Sequence, residues 1–401
     1  MKYTIEQIRQ RVESVYAKTV AFRRDLHMHP ELSENEKETE AKICAKLEAL
    51  GIPFEKNIAG HGVCATIPGK NPHHGIALRA DIDALPLTEQ IDTPYKSQIP
   101  GVMHGCGHDM HTAILLGTAE ILNEMKADLP GSVRLLFQPS EETIGGAKQM
   151  IDAGCLENPK IDSVIGLHVE TTVDTGDVQF TAGAMNAASC EFYVTVTGES
   201  CHGAHPSDGV DSLLTSCAMV TNLQAIITRR MDPADAALIT VGQFHSGTKN
   251  NIVSGETKFS GIIRTLNLEN RSFIKAQIEQ VCTSTAAAYG AQCQVEFHDS
   301  YPSLENDDAL LALIKGSAEE ALGKEHVLLN TKPSLGADDF AYFCHGSRGI
   351  YYNIGVRTPG EDFAYPIHSD QFCPDERAIF TGILTEVTGT LTLLELSLIH
   401  I

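Results

Sequence analysis

The run Gly75-Ile76-Ala77-Leu78-Arg79-Ala80-Asp81-Ile82-Asp83 decides the fold of this chain. Its residues 76–80 read as a short apolar strand that ends on two carboxylates. Similar runs lie at 62–67, 133–137 and 164–169, each bounded by turn residues, and a helical pattern at 112–125 alternates with them. Strands alternating with helices predict an α/β fold, with a mixed, mostly parallel sheet flanked by helices. Sites in such sheets form beyond the C-terminal ends of the strands. Asp81 and Asp83, Glu141 and Glu142, and His168 all fall at such places.

Working outward, apolar residues at helical spacing predict a helix over 4–28 that stops at His29-Pro30, since proline disfavours helix in the residue before it. A second helix over 35–50 is closed by Gly51. The pattern changes near Gly183. Strands at 191–197, 237–244, 258–265 and 292–298 and helices at 210–229 and 271–289 follow. The order strand, helix, strand, strand, helix, strand is ferredoxin-like. It predicts a lid or dimerisation domain at 185–297, inserted in a catalytic domain made of 1–184 and 298–401. A strand at 349–356 and a last helix complete the pattern.

The bulk properties agree with this division. A chain of 401 residues is too long for one ordinary core. Its formal net charge of −22 repels polyanions, so nucleic acid is not an expected partner. No stretch approaches the ~20 apolar residues of a membrane span, and the start lacks a basic segment followed by an apolar run. Eleven cysteines, an odd number without framework spacing, read as reduced thiols in a cytoplasmic protein. The last six residues, Leu396-Ser397-Leu398-Ile399-His400-Ile401, match one reading frame of a sequencing-library adapter and are expected to be a non-native tail.

Three segments carry chemistry. Gly101 to His111 holds His104, Cys106, His108, Asp109 and His111 among glycines. Cysteine and histidine are favoured zinc ligands, although a Gly-rich turn with incidental histidines has the same composition. Glu141-Glu142 follows a strand, so one carboxylate could bind metal while the other takes a proton from water. A solvated acidic loop reads the same way. Asp81 and Asp83 fit carboxylates that stand behind ligating histidines, or turn residues. His168 and His368, each alone, are equally compatible with hydrogen-bonded structural histidines.

Taken in order, these segments resemble the amidohydrolase branch of the zinc-dependent exopeptidases, the group of carboxypeptidase G and aminoacylase. Hippurate hydrolase, N-acyl-amino-acid amidohydrolases and auxin-conjugate hydrolases belong to that branch. The resemblance runs from Arg23-Arg24-Asp25-Leu26-His27 and Pro30-Glu31-Leu32-Ser33 through 78–86, Gly105-Cys106-Gly107-His108-Asp109 and Phe137-Gln138-Pro139 to Gly166-Leu167-His168. It continues at His202, Asn251-Ile252-Val253, Arg264, Gly336-Ala337-Asp338-Asp339-Phe340 and His368-Ser369. It implies that Cys106, His108, Glu142, His168 and His368 hold two divalent ions (zinc, manganese, cobalt or nickel). It further implies that Glu141 is the general base, that Asp83 orients a ligand and that His202 stabilises the oxyanion. Asn251 and Arg264 would grip the substrate carboxylate. The implied reaction cleaves N-acyl amino acids within a homodimer, with carboxypeptidase or dipeptidase action at the same site as the alternative. Two positions depart from the branch. Ser200-Cys201-His202-Gly203-Ala204-His205 replaces a commoner Gly-Gly-His-Ala-Ala, which makes His205 a further candidate, and Ser254 stands where proline is common.

Overall fold

The computed structural model describes residues 2–397, so residues 398–401 of the expected tail lie outside the described residues. The chain forms two compact units. The first takes the residues up to Gly183, then Glu305–Lys332 and everything from Asp339 onward; the second takes Ala184–Leu304 and Pro333–Asp338.

The first unit opens with α1 (Ile5–Met28), α2 (Lys37–Ala49), β1 (Phe54–Ile58), β2 (Gly62–Ile67), β3 (Asn71–Asp81) and α3 (His108–Glu124). It continues with β4 (Gly131–Gln138), α4 (Gly146–Asp152), β5 (Lys160–Asp174) and β6 (Val178–Thr181). After β7 (Gly183–Asn186), the second unit supplies β8 (Ala188–Thr197), α5 (Ser212–Arg229), β9 (Ala237–Ser246), β10 (Glu256–Thr265), α6 (Leu268–Tyr289) and β11 (Gln292–Asp299). The remaining elements are β12 (Leu304–Asn306), α7 (Asp308–Leu322), β13 (Val327–Asn330), α8 (Ala341–Gly346), β14 (Arg348–Arg357) and α9 (Ala378–Ser397).

Eight strands of the first unit form one sheet in the order β1-β2-β4-β3-β5-β14-β6-β13. Its centre, β4-β3-β5-β14, is parallel, and antiparallel pairings lie to either side. Every residue of β4 is buried, as expected for a parallel strand covered on both faces. Helix α1 begins with a capping box in which the Thr4 hydroxyl and the Gln7 side chain satisfy each other's backbone N–H groups. Its apolar stripe, Ile8, Val12, Val15, Phe22 and Leu26, joins the main core.

Two expectations need correction. The third helix begins at His108, not at 112, so His108, Asp109 and His111 stand on its first turn rather than in a loop. Gly107 makes this start possible. Its φ is +84°, and a Cβ there would lie 2.6 Å from Val169 Cγ2. Second, α9 does have a window, Ala378–Leu396, long and apolar enough to cross a membrane. It is mostly buried and packs against α1, α3, α7, β3 and β14, the placement of an all-round apolar core helix.

In the second unit, β8–β11 form an antiparallel sheet in the order β11-β8-β10-β9. Buried and exposed residues alternate along β8, and α5 and α6 cover the buried face around Phe192, Val194, Leu223, Ile263 and Ile278. The unit extends past residue 297 because the Tyr301 carbonyl accepts from the Ser189 N–H (3.0 Å) and from Arg271 (3.2 Å). It includes 333–338 because the Ser334 N–H donates to the Met185 carbonyl and the Ala187 N–H to that of Gly336, both at 2.8 Å.

Candidate metal centre

The parallel register aligns the ends of the strands. Asp81 closes β3 opposite Gln138 at the end of β4, and His168 lies on β5 opposite Asn353 of β14. The Pro139–Glu142 segment and the N-terminus of α3 therefore meet at one edge of the sheet. His368 joins them by donating its N–H to the Gly105 carbonyl (2.8 Å), from a left-handed backbone with φ +62°.

Among the overlapping groups of potential metal ligands in the described residues, three contain the residues expected to bind metal: Cys106, His108 and His168; Cys106, Glu142 and His368; and His108, Glu141 and Glu142. In each group the ligand atoms lie within 4.8 Å of one another. Cys106 Sγ is 3.4 Å from His168 Nε2, and Glu142 Oε1 is 3.3 Å from His368 Nε2 and 3.9 Å from His108 Nε2.

The surrounding atoms fix which nitrogen faces inward. His108 Nδ1 donates to the Asp83 carbonyl (2.9 Å) and to Asp83 Oδ1 (3.1 Å). His168 Nδ1 donates to the Val169 carbonyl (2.7 Å). Both rings therefore turn an Nε2 lone pair toward Cys106 and Glu142. Glu142 Oε1 is buried and makes no hydrogen bond. Sulfur, nitrogen and carboxylate oxygen that converge within one small space, mostly buried and with His368 at its exposed side, fit a divalent cation. Burial pushes the Cys106 thiol well above its ordinary pKa, against the pull of His108; a bound cation reverses that order by favouring thiolate.

Asp83 ties two of these ligands together. Its Oδ2 accepts from the Glu142 N–H (3.0 Å) and the Ser33 hydroxyl (2.7 Å) while Oδ1 serves His108. Burial alone would raise its pKa, yet His108 and these donors hold it below the usual value. Asp81 does not act on a ligand in the same way. Its Oδ1 accepts from His111 Nδ1 (2.6 Å) and its Oδ2 from Arg79 (2.6 Å). His111 Nε2 in turn accepts the Val169 N–H (3.0 Å), so both of its nitrogens are committed and it has no lone pair left for a metal. Burial accordingly lowers the His111 pKa to about 4. The sequence reading did not assign Arg79, Gln138 and Asp339, which form a buried network beneath the site. Arg79 donates to Gln138 Oε1 (2.8 Å) and Asp339 Oδ1 (3.0 Å), and the Asp339 carboxylate also accepts from the Ala147 N–H (2.9 Å) at the start of α4. An arginine inside an apolar strand was the available signal, because a buried guanidinium requires acidic partners.

The other candidates belong to the second unit. His202 is exposed; it pairs with Ile252 through a β-bridge, and the Gly203 N–H donates to the Asn251 carbonyl (2.8 Å), which brings His202 and Asn251 together. The Ala204 N–H donates to His202 Nδ1 (3.1 Å), leaving the proton on Nε2. The His205 ring lies 5.7 Å from that of His202, tilted by 46°. Ser254 fixes the end of this loop by donating to the Glu256 carbonyl (2.8 Å) while accepting from Ser246 (2.9 Å). Arg264 lies on β10, and its NH1 is buried without a hydrogen-bond partner. Burial lowers its pKa, with Glu191 acting the other way.

A dense sulfur, nitrogen and carboxylate cluster beside a second glutamate, at the C-terminal edge of a parallel sheet, defines a metal-dependent hydrolase acting on amides. The chain belongs to peptidase family M20/M25/M40, whose model matches residues 77–388. It is 37% identical to the N-acetyl-L-cysteine deacetylase of Bacillus subtilis over 360 residues, covering 90% of this chain and 84% of that protein. It is 35% identical to thermostable carboxypeptidase 2 of Saccharolobus solfataricus, covering 95% and 96%. The crystal structure of a Bacillus subtilis dinuclear metal-binding peptidase of the M20 family superposes with a TM-score of 0.82 at 30% identity, covering 96% of this chain and 99% of that one.

Proposed function

We propose that this amidohydrolase cleaves N-acyl amino acids, carrying acetyl, benzoyl or similar groups, into a carboxylic acid and a free amino acid. The observation that carries the reading is the cluster itself, in which Glu141 stands in one ligand group with His108 and Glu142. Cys106, His108, Glu142, His168 and His368 would hold two divalent cations, for which zinc suits the mixed donor set and manganese, cobalt or nickel are the alternatives. When bound, such ions polarise a carbonyl and lower the pKa of water toward neutrality. Glu141 takes the proton of the attacking water and returns it to the leaving amine. Asp83 keeps the His108 ring oriented. The Nε2–H of His202 donates to the developing oxyanion. Arg264 would grip a free carboxylate, with Asn251 assisting. A homodimer joined through the second unit completes the proposal.

The similarity to a carboxypeptidase keeps peptide cleavage at the same site as a second reading. Both are tested by loading the metal-free protein with single metals and assaying N-acetyl amino acids, N-benzoyl amino acids and dipeptides. Cleavage of the acyl amino acids with dipeptides spared is the expected result; the reverse order of preference selects the second reading. Glu141→Ala should keep its metal content and lose turnover by about 10²–10⁴-fold. An active Glu141→Ala removes this residue as the base.

A further inference from the structure

The strap between α1 and α2, residues 30–36, has so far supplied only Ser33 to the site, yet it touches the catalytic edge at three points. Leu32 forms a parallel bridge with Ala84, and the Ala84 N–H donates to the Glu31 carbonyl (2.8 Å). Ser33 donates to Asp83. Glu36, completely buried, accepts at Oε1 from both the Ser140 N–H (2.8 Å) and the Ser140 hydroxyl (3.2 Å). The Ser140 hydroxyl oxygen in turn accepts from the Glu34 N–H (3.0 Å).

Ser140 immediately precedes Glu141 and Glu142, and its φ is +58°. A serine in the left-handed region is unfavourable and persists only when its surroundings hold it there. Other contacts secure the rest of this loop. The Gly145 N–H donates to the Ser140 carbonyl (2.9 Å), the Glu142 N–H donates to Asp83, and Gly146 packs so closely that a Cβ would lie 2.1 Å from the Pro139 carbonyl oxygen. The N–H and the hydroxyl of Ser140 both go to Glu36, the N–H through a short bond (2.8 Å) and the hydroxyl through a longer one (3.2 Å).

Burial raises the pKa of Glu36, and the backbone N–H groups of Glu36, Ser140 and Glu34 act the other way. Glu36 occupies the N-cap of α2 but makes no capping bond; Glu31 caps that helix instead, accepting from the Glu38 (3.1 Å) and Thr39 (2.8 Å) N–H groups. Glu36 Oε2 is buried without a hydrogen-bond partner, which stability alone would select against.

We propose that Glu36 is a positioning residue for the reaction: its buried carboxylate holds Ser140 left-handed and so sets the directions of the Glu141 and Glu142 side chains. The proposal rests on the reading of Glu141 as the base. If Ser140 relaxes into a right-handed or extended backbone, the Cα–Cβ bond of the next residue turns, and a shift of 1 Å at a reacting group is worth about 10²-fold in rate.

The test compares Glu36→Ala, Glu36→Asp and Glu36→Gln with the unmodified chain, all metal-loaded, on one N-acetyl amino acid. Glu36→Ala should lower kcat by about 10–100-fold with KM changed by less than about threefold, and it should displace the acidic limb of the pH–kcat profile. Glu36→Gln keeps an oxygen that accepts the Ser140 N–H and should recover kcat to within about threefold. Glu36→Asp, too short by one methylene, should repeat the alanine effect and serves if the alanine variant fails to fold. A Glu36→Ala protein with unchanged kcat overturns the proposal. Equal losses in the glutamine and alanine variants, together with lost metal and lost folding, overturn it as well. Glu141→Ala run alongside separates the two readings: if it is active the base assignment fails, whereas if it is inactive beside a fully active Glu36→Ala only the positioning role fails.

Discussion

In the first unit, His108 and His168 are each held at Nδ1 by oxygen and present Nε2 to Cys106 and Glu142. In the second unit, His202 stands in solvent, held by a single backbone N–H. The difference follows from where each residue is carried. His108 opens a helix whose residues 108–119 are all buried and His168 lies inside a central strand, so tautomer and rotamer are set before anything binds. His202 and Asn251 occupy exposed loops, where side chains keep most of their rotamer entropy until a ligand removes it. His368, an exposed loop residue, is the ligand that resembles His202 in this respect, whereas His108 and His168 are ordered in advance.

The contrast can be broken at several points. The largest effect concerns Glu386, which is buried on α9 with only the Thr118 hydroxyl (2.7 Å) to serve it. Burial pushes its pKa up to about 8. Below the ordinary glutamate pKa both folded and unfolded chains hold the proton. As pH rises toward 8 the unfolded chain loses it first, so stability falls across that window. Glu386→Gln should therefore stabilise the protein more at pH 8 than at pH 5, by on the order of 4 kcal/mol in chemical unfolding. An equal gain at both values would show that Glu386 ionises normally and that the first unit is less tightly closed than its burial implies.

His202→Ala comes next. It should reduce kcat by about 10²–10³-fold while metal content and thermal midpoint stay unchanged. A falling midpoint would mean that the exposed loop is structural after all. The smallest effect belongs to Asp83→Ala, which should weaken metal affinity by about 10–100-fold in a competition titration with a chelator. Undiminished affinity would show that the His108 ring is held well enough by the Asp83 backbone carbonyl alone.

Period and turn chemistry made the layers legible. The central runs at 62–67, 133–137 and 164–169 are strands, and the order of elements in the second unit can be read along the chain. Elements without an amphipathic pattern were not found: β1, β6, β13 and the short α4 have too few residues to show a period. The start of α3 is hidden in the sequence because three glycines near Cys106 read as loop, although only the left-handed Gly107 is needed to begin the helix. The ligand types and spacings were visible, but the partners of Asp81 and Asp83 were not. Both aspartates sit at one strand end, yet one serves His108 and the other His111, a distinction made by a helical turn that sequence alternation does not encode. Glu36 gave no signal either, because its partner Ser140 is distant in sequence and unusual only in its backbone.

The place of β14 in the sheet, between β5 and β6, has a consequence for synthesis. A ribosome completes β8 to β11 before it reaches the strand that closes the main sheet. At about 5–20 residues per second, the segment from Leu304 to Arg357 takes on the order of 3–10 s to emerge. For that interval β5 is an open edge with unpaired backbone groups, the kind of surface on which nascent chains stick to one another. β5 therefore stays unpaired on that side until β14 emerges, after β8 to β11 have been made.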